Sequence, residues 1–265
     1  MTLGHALFLL AASALAGAVN SVAGGGTLLS FPAAIAAGLP PIVANATNAV
    51  ALVPGSLAAA WAYRAHLGGL GRLVAVLTAP AVVGALIGAT ILRHTPQRLF
   101  EGVVPWLVLG ATVLILLQGV VQRRTLARTT GPTAAGPSTA PAPRGALAWV
   151  VFFQLLVSVY GGYFGAAMGI VMLAFLGYVP GSLNLHQMNA LKNVLAVLIN
   201  GAASVAFIAN GLVEPYAAAV MAAGAIAGGI LGGRLGRRAP AHHVRRLVVV
   251  IGFGMTVLLA WRRYG

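Results

Sequence analysis

Of the 265 residues, 60% are hydrophobic and only 7% are charged, and 16 Lys and Arg stand against two acids for a formal net charge of +14. Soluble domains carry roughly 25% charged residues, so these proportions exclude one, together with the soluble basic face that nucleic-acid binding requires. Cysteine is absent, which excludes disulfides and thiolate metal sites.

Apolar stretches fall at about 3–37, 42–63, 72–92, 100–121, 147–178, 185–209, 214–233 and 244–261. Each is long enough to cross about 30 Å of hydrocarbon as α-helix. None shows the period-two alternation of a porin strand, and open sheets or coil cannot satisfy their backbone groups in lipid. The chain is therefore all-α, polytopic and transmembrane, with the cytoplasmic (inner) membrane as its expected location. Ala14-Leu15-Ala16 imitates a signal-peptidase site, but no basic segment precedes it and the N-terminus is expected to be retained.

In chain order, the first stretch is interrupted by Gly24-Gly25-Gly26. About 35 residues of helix would extend roughly 50 Å, too far for one span. The glycines predict two half-helices meeting inside the membrane in a re-entrant hairpin. Next comes a span bearing Asn45-Ala46-Thr47-Asn48, in which Pro54 predicts a kink and Ser56 a hydroxyl for a freed carbonyl. Two plain spans follow. Gln122 to Arg144, rich in Pro, Thr, Ala and Arg, reads as a disordered linker. The second half repeats the first: a stretch broken from Gly161-Gly162 through Gly165 to Gly169, a span with Asn189-Ala190-Leu191-Lys192-Asn193, then two plain spans. Matched features lie about 144 residues apart. The expected organisation is a first transmembrane repeat over 1–121, a cytoplasmic linker over 122–146 and a second repeat over 147–265.

Arginine placement bears on the relation between the halves. If each half is a hairpin plus three spans, the repeats are inverted and the loops on one side receive 11 arginines against 4 on the other. If each opening stretch crosses once, the repeats are parallel and the tally is 8 against 7. Only the inverted arrangement yields the positive bias of cytoplasmic loops, so two inverted repeats are expected, with both termini outside.

Broken helices in inverted repeats are a transporter architecture. Each half-helix that restarts after a glycine break presents free N–H groups and the positive end of its dipole, which attract an anion. The expected donors are Gly25, Gly26 and Thr27 in the first half and Met168, Gly169 and Ile170 in the second. Close packing of helices is the competing role for such glycines. Lys192 is the only lysine and lies within an apolar span. Asn184 and Gln187 form a capping pair that would start this helix near Leu185, placing Lys192 about 10 Å inside. A buried ammonium marks function unless its stem snorkels to the interface. Asn45, Thr47 and Asn48, with Asn189, Asn193 and Asn200, supply neutral donors, and interhelical hydrogen bonding is their alternative role. Substrate-binding candidates are thus Gly24, Gly25, Gly26, Thr27, Asn45, Thr47, Asn48, Gly165, Met168, Gly169, Asn189, Lys192 and Asn193.

Aspartate is missing, and Glu101 and Glu214 sit at span starts, where a helix N-terminus favours them. A carboxylate proton relay is therefore unsupported, and uniport or simple exchange would suffice, since an inside-negative potential drives anions outward. His242 and His243 fall in a basic loop and are expected to be solvated; His186 is a weak candidate for the anion path. No catalytic, cofactor or metal constellation is present.

The run Asn20-Ser21-Val22-Ala23-Gly24-Gly25-Gly26-Thr27-Leu28-Leu29-Ser30-Phe31-Pro32, then Gly38, then Ala44-Asn45-Ala46-Thr47-Asn48 to Val53-Pro54-Gly55-Ser56, resembles the sulfite exporter TauE/SafE family of bacterial and archaeal permeases. Tyr160-Gly161-Gly162-Tyr163-Phe164-Gly165, Asn189-Ala190-Leu191-Lys192-Asn193 and Asn200-Gly201 are similar to that family's second repeat. The resemblance spans nearly the whole chain apart from the linker. It implies an anion permease moving sulfite, organosulfonates or related sulfur oxyanions. In one departure, Ala166-Ala167-Met168 precedes Gly169 where the family tends to carry a denser glycine cluster.

The leading expectation is a secondary transporter exporting sulfite or an organosulfonate, with a small anion and membrane lipid as partners and no cofactor. An importer of a small anion on the same fold is the alternative, and a membrane enzyme or a scaffold are the readings from other classes. Homo-oligomerisation is left open.

Overall fold

The computed structural model describes residues 2–22, 25–130, 145–177, 179, 183–235 and 241–264. Ten α-helices are formed among them: α1 (Leu3–Val22), α2 (Thr27–Ala36), α3 (Pro41–Ala62), α4 (Gly71–His94), α5 (Gln97–Thr130), α6 (Ala146–Tyr163), α7 (Met168–Leu176), α8 (Leu185–Ala209), α9 (Pro215–Leu235) and α10 (Ala241–Tyr264). No strand occurs among the described residues.

Both opening stretches are broken, the first at Gly25 and the second at Gly165, while Gly161 and Gly162 lie inside α6 and Gly169 inside α7, and the arms are unequal. α1 has 20 residues and α2 has 10, α6 has 18 and α7 has 9. At 1.5 Å per residue the first arm alone measures about 30 Å, so each stretch is a near-full-length helix followed by a half-helix. α8 starts at Leu185 as its cap predicts: the Gln187 amide donates to Asn184 Oδ1 at 2.9 Å and the Asn184 amide to Gln187 Oε1 at 3.0 Å. α5 continues as helix to Thr130, past the expected linker boundary at Gln122, and residues 131–144 lie outside the described residues. His242 and His243, expected in a loop, fall in the first turn of α10.

Large apolar side chains cover the outside, among them Trp61, Trp106, Trp149 and Trp261, all more than 60% exposed. Such a surface fits lipid rather than water. Trp61, Trp149 and Trp261 stand near helix ends, the level at which indoles anchor at an interface. Five helices are long and apolar enough to cross a membrane by length and composition, among the described residues.

Packing inside repeats itself. α1 packs against α9 as α6 packs against α4, and α3 against α9 as α8 against α4. α3 meets α8, and α5 meets α10. Glycine makes the tightest of these contacts. Gly224 and Gly228 lie against the carbonyls of Leu10 and Ala14, and Gly17 against that of Ala225. In the other half Gly84 and Gly88 lie against the carbonyls of Leu155 and Val159, and Gly162 against that of Ala85. The step from Leu10 to Ala14 is matched by that from Gly224 to Gly228, and the step from Leu155 to Val159 by that from Gly84 to Gly88, so α1 runs parallel to α9, and α4 to α6. α3 also runs with α9, because Thr47 meets Glu214 and Gly55 approaches Ala225. Backbone-to-backbone approach is the usual basis of membrane helix packing, since lipid supplies no hydrophobic drive.

Candidate functional site

A cavity of about 90 Å³ lies where α2, α3, α7 and α8 converge. It has room for several waters or one small oxyanion. Asn20, Gly25, Thr27, Asn45, Asn48 and Ser56 line it from the first half, and Gly165, Met168, Gly169, Lys192, Asn193 and Asn200 from the second.

The half-helix starts meet here with local caps. After Gly25, at φ +94°, the Gly26 amide donates to Asn20 Oδ1 at 3.0 Å, and the Leu28 amide to the Gly25 carbonyl at 3.0 Å. In the second half Gly165, at φ +74°, is followed by Ala167 at φ 59° and ψ 9°, the N-cap of α7. Ala167 is the single non-glycine residue of positive φ among the described residues. A left-handed alanine costs roughly 1–2 kcal/mol, so Ala167 holds at some strain a conformation that glycine would adopt freely. The Ile170 amide donates to the Ala167 carbonyl at 3.0 Å, while the Gly169 amide has no acceptor among the described residues. Tyr160 fixes the loop by donating its hydroxyl to the Ala166 carbonyl at 2.6 Å.

Lys192 projects toward this second helix start. A Cβ built at Gly169 would lie 3.3 Å from Lys192 Cδ, so the lysine stem occupies the space that a side chain at 169 would fill. The stem thus runs along the start of α7, and the residue lines the cavity. Neither acid of the chain serves it. Glu101 accepts from Gln97, and Glu214 accepts from the Ala217 amide in its own first turn. Asn48, which lies 144 residues before Lys192 on the matching helix, is 2% exposed, and its Oδ1 has no partner.

Nine of the thirteen sequence candidates line the cavity: Gly25, Thr27, Asn45, Asn48, Gly165, Met168, Gly169, Lys192 and Asn193. The others do not. Gly24 lies outside the described residues. Gly26 is buried behind Asn20, which takes its amide. Thr47 is fully buried and turned to α9, where its Oγ1 accepts from the Glu214 amide at 3.0 Å. Asn189 is half-buried and outside the lining. Asn45 lines the cavity while donating Nδ2 to the Tyr163 carbonyl at 2.9 Å. Of the expected amide donors, Met168 is already directed at the Gly165 carbonyl, at 3.4 Å. His186 stacks on His66 with centroids 5.0 Å apart, away from the lining. Ser56 donates to Leu52, not to the Val50 carbonyl that Pro54 frees. Asn20 was missed; its place directly ahead of the glycine run was the available signal.

Converging half-helices, a cavity lined by asparagines and a lysine, and a lipid-compatible exterior define a multi-pass helical membrane transporter. The profile of the sulfite exporter TauE/SafE family matches residues 9–259. The chain belongs to that family. It is 24% identical over 251 residues to a probable membrane transporter protein of Haemophilus influenzae, covering 92% of this chain and 89% of that one. The probable membrane transporter protein YfcA of Escherichia coli K12 is 27% identical over 262 residues, covering 95% and 88%. The probable membrane transporter protein ORF9 of a Sinorhizobium species is 32% identical over 105 residues, 39% of this chain and 40% of its own. No solved structure matches the chain significantly.

Proposed function

We propose that the protein is a permease that exports a small sulfur oxyanion, sulfite or an organosulfonate, through the cavity between α2, α3, α7 and α8. The single observation that carries this reading is Lys192, an ammonium without a carboxylate partner, held beside the start of α7 in a cavity it shares with Asn48, Asn193 and Asn200. An anion there meets one full positive charge, the α7 dipole end and the amides of Asn48, Asn193 and Asn200. The family description, sulfite exporter, supplies the cargo class and the direction.

The two halves act as inverted repeats. α1, α3 and α9 run in one direction by their contacts. α4 follows α3 after only residues 63–70, at most about 28 Å even if fully extended, and part of that connection is a 3-10 turn. Such a connection cannot recross the membrane, so α4 runs opposite to α3 and hence to α9, its own counterpart in the second half. The repeat boundaries at 121 and 147 belong to the same reading, with the linker between them on the cytoplasmic side.

Uptake of labelled sulfite into proteoliposomes preloaded with unlabelled sulfite tests the function. The wild type is expected to show saturable uptake, and Lys192→Gln to lose it while keeping its thermal unfolding transition. Undiminished uptake by Lys192→Gln would remove the lysine from the site.

A further inference from the structure

We infer that the transporter is an obligatory one-for-one anion exchanger, because the empty site carries an uncompensated positive charge that no group of the chain can neutralise. The inference rests on the anion-site reading above.

The one charged side chain in the lining and the helix start beside it are both positive. Lys192 brings a full positive charge, and α7 begins beside it. Aspartate is absent from the sequence, and both glutamates are engaged elsewhere, Glu101 with Gln97 at the start of α5 and Glu214 at the start of α9. Across the repeat, the residue matching Lys192 is Asn48, a neutral amide whose Oδ1 is buried and unpartnered. A chain able to reorient empty would be expected to hold a carboxylate there, as an internal counter-ion to take over when the anion leaves. Asn48 cannot do this.

The energetics follow from the environment. While the cavity is open to water, solvent screens the ammonium. When the cavity closes between the two open states, the ammonium is left in a low-dielectric enclosure, where an unpaired ion is strongly disfavoured. A bound monoanion cancels the charge, and hydrogen bonds from the asparagines and the amide of Gly169 satisfy its oxygens. The closed state is therefore accessible when loaded and inaccessible when empty. Each outward passage of one anion must be followed by the inward passage of another, and the exchange is electroneutral for monoanions.

Loss of the Lys192 proton is the one other way to discharge the empty site. No side chain stands by to take it, so the proton would have to leave to water, which the pH-gradient arm below detects: α3 contributes Asn45 and Asn48, α7 contributes Met168 and Gly169, and on α6 the Tyr160 hydroxyl is committed to Ala166. On α4 the ionisable residues Arg72, Arg93 and His94 are confined to the ends. His66 and His186 pair with each other away from the cavity lining.

Counterflow tests the proposal on the purified full chain in proteoliposomes, with labelled sulfite outside at clamped potential and equal pH. Vesicles preloaded with unlabelled sulfite are expected to take up label at least tenfold faster than vesicles holding only gluconate. Equal rates would overturn exchange in favour of uniport. Fast uptake into gluconate vesicles under an imposed pH gradient would overturn it in favour of proton loss from Lys192. No protein-dependent uptake in either preparation, by protein with an intact unfolding transition, would also overturn it. The site reading fails separately: Lys192→Gln retaining wild-type counterflow refutes the site, whereas wild-type uniport with inactive Lys192→Gln leaves the site standing and refutes exchange alone.

Discussion

Asn45 and Tyr163, 118 residues apart, are joined by a 2.9 Å hydrogen bond from the asparagine amide to the tyrosine carbonyl. The bond ties the polar face of α3 to the last residue of α6, just ahead of the loop that carries Phe164, Gly165 and Ala167 into the cavity. Leaving a fully buried carbonyl unpaired costs about 1–3 kcal/mol, and this part-buried one falls toward the lower end. Asn45→Ala is therefore expected to lower the unfolding temperature in detergent by several degrees and to weaken transport, since the loop it anchors lines the site. An unchanged melting temperature would show the bond to be dispensable.

The glycine contacts give a prediction with an internal control. Alanine at Gly88 would drive a methyl into the Val159 carbonyl, and alanine at Gly228 into that of Ala14; alanine at Gly110 or Gly229 would meet nothing within 4 Å. Overpacking costs about 1–3 kcal/mol, whereas glycine to alanine in an open helix position gains up to about 1 kcal/mol. Thermal unfolding of the four variants should show matched losses for Gly88→Ala and Gly228→Ala, with small gains for the other two. Different responses at 88 and 228 would break the equivalence of the two halves.

Ala167 carries left-handed backbone at the start of α7. Replacing it with glycine should stabilise the protein by up to about 1 kcal/mol, and replacing it with valine should destabilise it by more. Stability in detergent measures both. A destabilised Ala167→Gly would mean that the methyl group packs more favourably than the strain it causes.

The absence of cysteine makes side-specific labelling direct. Single variants Ala65→Cys and Ala209→Cys sit at exposed positions in the connections after α3 and at the end of α8. Inverted repeats place them on opposite sides of the membrane, so an impermeant maleimide applied to cells should label Ala209→Cys and spare Ala65→Cys. Labelling of both from one side would fit parallel repeats instead.

Much of this was legible in the residues because the signals are local. The first glycine break and the Asn184–Gln187 cap act within a turn or two, and the structure forms them where the sequence places them; in the second half only Gly165 falls in the break, because the flanking glycines are held in helix by packing. Unequal arms were not legible, since apolar residues run through both sides of each break and nothing in the pattern marks where a span ends. Thr47 could not be told from Asn48 by sequence: one faces α9 and the other the cavity, and helix rotation is decided by packing against distant segments. The capture of the Gly26 amide by Asn20 depends on how the chain folds back after Val22, which composition does not encode.

The central claim is that a small oxyanion binds between the start of α7, Asn48 and Lys192. Selenite is a close analogue of sulfite whose selenium scatters anomalously, so a crystal of the wild-type protein grown with ordinary methionine and selenite locates the ion without ambiguity. The expected result is one anomalous peak in the cavity, within hydrogen-bonding reach of Lys192 Nζ and absent from Lys192→Gln crystals. An empty cavity with Lys192 turned to the membrane surface, or a peak that persists unchanged without the lysine, would contradict it.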